Sequence, residues 1–224
     1  MSLNPLPSPR IIATELLVQL QNVTSSSTGA ISTAGNSLKN ANDETKKILL
    51  TFHVLYPNEF LPALDLLDRR LLTRFTIRPT QAEAETSSTA QQPSNPTPLY
   101  FVRTAQQPRT TTTSRSYDPL ATHYEVRPTA WNCSCAAFAF AAFPAATDAE
   151  RGAAPDDDGR LGPHQSGVRF LRFGGLSAGS AAPPVCKHLL ACVLAEHCEV
   201  FRGCAEEKEV SIEEVAGWCA GWGD

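Results

Sequence analysis

From Pro9 onward, apolar residues recur about every four positions. Ile12, Leu16, Leu20 and Val23 have the spacing of one helix face. Ser8-Pro9 supplies an N-cap and a proline for the first helical position. Residues 24–42 are rich in Ser, Thr, Gly and Asn and read as a loop. Helix signals resume at Asn42-Asp43-Glu44. The next stripe, Ile48, Leu49, Phe52 and Leu55, ends before Pro57, which cannot continue a helix. A third helix starts near Asn58-Glu59 with Phe60, Leu64, Leu67 and Leu71 on one face. Asp65 and Arg69 lie one turn apart on the other, and Pro62 is tolerated because it falls in the first turn. Leu72 to Arg78 then alternates, with Phe75 and Ile77 on one side, and reads as a short strand.

Residues 79–98 hold Gln, Ser, Thr, Ala and Pro with few large apolar groups. Such a stretch buries too little to offset its ordering entropy and is expected to be a linker. Two strands follow, Leu99 to Thr104 and Thr122 to Arg127, joined across a Thr/Ser/Arg-rich stretch as a long-tipped hairpin. Residues 144–184 change character again, with Asp156-Asp-Asp158, many Ala and Gly, and Pro183-Pro184. They are expected to form an inserted, mostly disordered loop, with Val168 to Phe173 as an isolated strand within it. Order returns at Val185-Cys186-Lys187-His188, which opens a helix whose buried side runs through Leu190, Val193, Leu194, His197 and Phe201. A last helix is expected from Ser211 through Ile212, Val215 and Trp218 in an acidic tail. The organisation expected is 1–78 helical, 79–98 linker, 99–204 a metal module with its insert at 144–184, and 205–224 a C-terminal helix or tail.

Composition narrows the possible roles. Of 224 residues, 42% are hydrophobic, enough for a core, and the net charge is −4. That excludes a protein held on nucleic acid mainly by phosphate neutralisation. Seven cysteines make a fully paired secreted framework implausible. No basic start and apolar run marks a secretory signal at the N-terminus. Residues 128–147 carry no charge, but their strongly apolar part, Cys135 to Ala146, is interrupted by Pro144. It falls short of the ~20 residues a spanning helix needs. The expectation is a soluble intracellular chain in a reducing compartment.

The chemistry concentrates in Cys133-x-Cys135 and Cys186-x-His188. Zinc takes four soft or borderline donors in a tetrahedron. A Cys-x-Cys pair at a strand end needs a turn to aim both sulfurs at one point. A Cys-x-His pair works at a helix start if Cys186 sits at or before the first turn, because two positions inside a helix diverge by about 200°. Pro183-Pro184 favours that placement, and the long intervening segment costs little in loop closure. Two other readings stand beside this one: ordinary buried cysteines, or a geometry that uses His188 and Cys192 one turn apart. With four protein donors no coordination position is open for water, so the metal is expected to be structural, with its binding energy spent on folding. His53 and His197 read as packing histidines. Cys192, Cys198, Cys204 and Cys219 read as free small residues, and Trp131 as packed beside the metal. No phosphate loop, nucleophile elbow or paired catalytic carboxylates are present, so an enzyme is not expected.

Tyr124-x-Val126, Trp131-x-Cys133-x-Cys135-x-x-Phe138 and Cys186-Lys-His188-Leu-Leu resemble the SWIM-type zinc finger, a motif shared by transposases, ubiquitin-ligase relatives and recombination factors. Together with Leu55-Tyr-Pro-Asn-Glu-Phe-Leu-Pro-Ala-Leu-Asp-Leu-Leu-Asp68, the chain resembles the small SWIM-domain subunits of Shu complexes over 45–78, 99–143 and 185–220. The insert at 144–184 and the Ser-rich stretch at 24–42 depart from that pattern. The resemblance implies an α+β fold, with N-terminal helices packed on a β-hairpin-plus-helix zinc module. It implies one structural Zn²⁺ on Cys133, Cys135, Cys186 and His188. It also implies a heterodimer with a recombinase paralog that promotes recombinase filaments on single-stranded DNA in homologous recombination, in the nucleus, with no membrane and no small-molecule substrate. The alternatives are a sequence-tolerant DNA-binding zinc finger of transposase type and a ubiquitin-pathway adaptor.

Charge is uneven. Residues 99–135 hold four arginines against Asp118 and Glu125, a net +2, whereas 196–224 hold eight acids against Arg202 and Lys208, a net −6. An acidic chain with a leucine-rich helix is better suited to bind protein than DNA. The 58–72 helix and the zinc module are the expected partner surface.

Overall fold

The computed structural model describes residues 7–25, 38, 41–78, 98–104, 123–143, 173–175 and 182–221. They form an α+β fold. Three helices come first: α1 (Pro9–Ser25), α2 (Asp43–Leu55) and α3 (Pro57–Asp68). Asn42 caps α2, its side-chain oxygen accepting the Thr45 N–H at 2.7 Å. Pro57 ends α2 by opening α3, where a missing N–H costs nothing. The strands β1 (Leu72–Ile77), β2 (Leu99–Arg103), β3 (His123–Arg127) and β4 (Asn132–Cys133) follow, then α4 (Ala136–Ala142) and α5 (Lys187–His197). A 3-10 turn (Glu199–Cys204), strand β5 (Ala205–Val210) and helix α6 (Ile212–Cys219) complete the order.

One sheet joins these strands in the order β4-β3-β2-β1-β5. Strands β1 to β4 pair antiparallel, with Leu72 opposite Val102 and Val126 opposite Cys133. Strand β5 pairs parallel with β1, Arg74 opposite Glu207. The sheet therefore joins β1 and β5 to the β2–β3 pair, three regions that the sequence reading kept apart. β5 was not foreseen, because Ala205-Glu-Glu-Lys-Glu-Val210 has no apolar alternation. It is an edge strand, where charged side chains are tolerated and protect the open edge. Its ladder with β1 is dressed by Arg74–Glu207 and Arg78–Glu209 pairs, each at 3.2 Å.

Period two assigns the faces. Leu72, Tyr100, Val102, Val126 and Cys133 point into the main core, against α5, α3 and α1. Helix α5 is apolar almost all round, with Leu189 to Ala195 buried without a break; a helix of that kind belongs inside. The α3 stripe of Phe60, Ala63, Leu66 and Leu67 is buried, with α5 as its main neighbour. The expected partner surface on the 58–72 helix is thereby corrected: its apolar face is consumed by the chain's own core, and of its large apolar residues only Leu61 is well exposed. On α1 the buried line is Ala13, Leu16, Leu17 and Leu20, with Ile12 and Val23 at its margin.

The expected strand 168–173 lies outside the described residues except for Phe173, which sits in a turn with Gly174 and Gly175. That turn is part of the core. Phe173 is fully buried against Trp131, Tyr56 and Phe52. The rest of the expected loop at 144–172 and 176–181, the linker at 79–97 and the loop at 26–37 also fall outside the described residues. Among the described residues no helix is long and apolar enough to cross a membrane.

Candidate metal centre

Two local structures converge on one buried point. In the first, the chain turns from β3 to β4 through Pro128–Trp131, closed by the Trp131 N–H on the Pro128 carbonyl at 3.0 Å. Trp131 adopts φ +50° there, a left-handed conformation that costs a bulky residue about 1–2 kcal/mol. The chain then runs extended, so Cys133 and Cys135 share one side and Ser134 takes the other. Ser134 is tied back to β3: its hydroxyl accepts the Glu125 N–H and its N–H donates to the Glu125 carbonyl, both at 3.0 Å. Cys135 is the N-cap of α4, and its Sγ accepts the Phe138 N–H at 3.3 Å.

In the second, Pro183-Pro184 leads into Cys186, which is extended (φ −131°, ψ 163°) and caps α5, its Sγ accepting the Leu189 N–H at 3.5 Å. The spacing requirement is met this way: Cys186 stands outside the helix and His188 in its first turn. Both capping sulfurs sit where backbone N–H groups favour negative charge.

The four donor atoms of Cys133, Cys135, Cys186 and His188 all lie within 4.8 Å of one another, and all four residues are buried. Cys133 Sγ is 3.9 Å from His188 Nδ1, close to the edge of roughly 3.6 Å that Zn–S and Zn–N bonds give a tetrahedron. The His188 ring lies on Tyr124, centroids 4.4 Å apart, and its buried Nε2 has no hydrogen-bond partner in the protein. Three crowded sulfurs with one imidazole nitrogen in their midst are what a metal ion would satisfy. The group suits one metal ion, with every first contact supplied by the protein.

Protons are distributed unevenly in the metal-free cluster. The Cys133 thiol donates to Cys135 and Cys186 and is buried, and its pKa is pushed far up. Cys135 accepts from both neighbours and is held far below the ordinary thiol range. Cys186 accepts from Cys133, which favours its thiolate, but it donates to Cys135 and is buried, and the balance pushes it up to about 12. Metal binding must therefore displace protons.

Trp131 bridges the two ligand segments. It lies two residues before Cys133, and its indole N–H donates to the carbonyl of Pro184, two residues before Cys186, at 2.8 Å. The other candidates stay away from the centre. His197 pairs with Gln21 at 2.8 Å and lies beside Glu196. His53 packs its ring on Phe60. Cys192 does not join the Cys/His group; it is buried, as are Cys198 and Cys204, and none of the three is in a disulfide, while Cys219 is exposed, 3.9 Å from Arg127. Sequence reasoning missed the place of Phe173, which packs on Trp131, and of Arg10 and Thr14, which hydrogen-bond its turn. A phenylalanine in a Gly- and Ala-rich run offers no periodic signal.

No protein-family model and no curated protein matches this chain.

Proposed function

We propose that the bound metal is zinc, that the site is a SWIM-type centre, and that the chain is a non-catalytic scaffold subunit. On this reading it binds a recombinase paralog and promotes recombinase filament assembly on single-stranded DNA during homologous recombination, in the nucleus. The observation that carries the reading is the closed, buried set of three thiols and one imidazole at C-x-C and C-x-H spacing. Three sulfurs and a nitrogen in a tetrahedron favour zinc over the hard cations. Four protein donors leave no place for an activated water, so the ion would staple the fold.

Apolar side chains left on the surface support an adaptor role. Phe140 on α4 and Phe143 at its C-cap are 78% and 82% exposed, and Leu50 and Val54 on α2 are exposed one turn apart. Phe140 lies in the helix that Cys135 caps and Phe143 is that helix's C-cap, and no charged residue occurs between 128 and 147. Clustered apolar anchors suit a groove on a protein partner better than a phosphate backbone.

The test is co-expression with a RecA-like ATPase paralog from the same cells, followed by filament assembly on single-stranded DNA. A stoichiometric complex that increases filament formation, abolished by Cys133→Ser, supports the reading. A chain that captures no such ATPase and alone shifts DNA in a salt-dependent way contradicts it.

A further inference from the structure

The turn Phe173-Gly174-Gly175 is held as a bound peptide is held. Among the described residues it belongs to no helix or strand, and side chains of α1 take up its backbone groups. Arg10 Nε donates to the Phe173 carbonyl at 3.0 Å and Arg10 Nη2 to the Gly175 carbonyl at 2.7 Å. The Phe173 N–H donates to Thr14 Oγ1 at 3.0 Å. Arg10 is itself buried, so these contacts are made out of water, where an ionised donor binds strongly.

The pocket reads each of the three positions differently. Phe173 is fully enclosed, its ring 4.5 Å from that of Trp131 and 5.3 Å from that of Tyr56. Gly174 has φ +95°, and a β-carbon there would come within 2.8 Å of Pro183. Gly175 has φ +59°, and a β-carbon there would come within 2.8 Å of the Trp131 β-carbon and 3.2 Å of the Thr129 carbonyl. Both positions thus demand glycine, by conformation and by space. Beyond Gly175 lies a cleft of about 590 Å³, lined in part by Leu17, Pro128, Trp131, Tyr100 and His197. That volume is within the range of ligand sites, and Gly175 forms part of its wall.

We propose that α1, α2 and the β3–β4 turn form a peptide-binding site for an aromatic-Gly-Gly sequence, filled in this chain by its own residues 173–175. The occupant is this chain's own Phe-Gly-Gly segment, and a peptide of the same sequence is the ligand the site would take in its place. A segment of the same chain competes at an effective concentration on the order of millimolar, so a ligand in trans is admitted when the internal one is withdrawn.

The experiment uses the full-length chain with Phe173→Ala and Gly175→Ala together, which removes the aromatic anchor and excludes the second glycine position. It is titrated with a synthetic peptide of the sequence Leu171 to Ser177, by calorimetry or fluorescence anisotropy. The expected result is saturable one-to-one binding. Affinity should fall at least about tenfold, some 1.4 kcal/mol, when the peptide's Phe or first Gly becomes Ala, or when Arg10→Met is added to the chain. The unaltered chain, already occupied, should bind at least about tenfold more weakly than the double variant. If the double variant folds poorly alone, the peptide should restore its cooperative unfolding transition. A folded double variant that does not bind, binding indifferent to the Phe or the Gly, or a double variant that saturating peptide cannot fold would each overturn the proposal.

Discussion

The two faces of the sheet are built on different terms. One face presents Leu72, Tyr100, Val102 and Val126 to a deep core under α1, α3 and α5, with the Cys/His cluster at its β4 end. The other presents Phe75, Leu99, Phe101 and Val210; among the described residues Val215 and Trp218 of α6 pack over them, and none of α6's residues is buried. On the deep face side chains are enclosed from several elements, so removing one leaves a cavity. On the thin face solvent is close, and a truncated side chain is partly replaced by water. Among the described residues, stability is therefore concentrated on one side of a single sheet, and the Cys/His cluster lies on that side.

The largest effect distinguishing the faces should come from the metal. With zinc as the proposed ion, a chelator should abolish the cooperative thermal transition, because structural zinc in small modules contributes ~10–16 kcal/mol, comparable with a domain's whole stability of ~5–15 kcal/mol. Circular dichroism with and without chelator checks this. Cys133 and Cys186 hold their protons above the ordinary thiol range in the metal-free cluster, so binding releases protons and affinity should rise with pH. Competition with a chromophoric chelator across pH 6 to 8 should show it, and a flat profile would contradict thiolate ligation.

Next in size is Leu72→Ala on the deep face. Leu72 is fully buried, and the lost transfer free energy plus the cavity should cost about 3–4 kcal/mol in urea unfolding. Trp218→Ala, on the thin face, should cost about 1–2 kcal/mol. Its ring lies 5.2 Å from Phe75 and 5.1 Å from Phe101, with Lys208 Nζ 5.0 Å above it, and such aromatic contacts contribute roughly 0.5–1.5 kcal/mol beyond area. Equal costs at Leu72 and Trp218 would refute the contrast. The smallest effect is expected from Ser211→Ala, which breaks the capping box with Glu214 and should cost about 1 kcal/mol, seen as fraying of α6 in amide exchange while the deep face stays protected.

What was legible in the sequence follows the same division. The N-terminal helices, the β2–β3 pair and the cap at Ser211 could be read because their signals are local: caps, prolines, and apolar spacing of 3.6 or 2. The gathering of Cys133, Cys135, Cys186 and His188 could be read because Cys-x-Cys in extended chain and Cys-x-His across an N-cap each aim two donors one way. Strand β5 could not, since Glu206, Glu207, Lys208 and Glu209 are set by the ladder to β1 and by the paired Arg74 and Arg78. Nor could α4, whose Ala136–Ala142 run has no polar face and takes its start from a cysteine sulfur. The α3 stripe was plain, but which neighbour covers it is a tertiary fact that no local pattern carries. Phe173 shows the limit most clearly: its role depends on Arg10 and Thr14, more than 150 residues away in sequence.

Metal content of the purified chain beside its Cys133→Ser variant tests the central claim most directly. Elemental analysis should find one equivalent of zinc in the unaltered protein, and in the variant a loss of zinc together with loss of the cooperative unfolding transition. Zinc absent from the native chain, or retained undiminished by a well-folded Cys133→Ser protein, would mean that the buried sulfurs and the imidazole are not a metal centre.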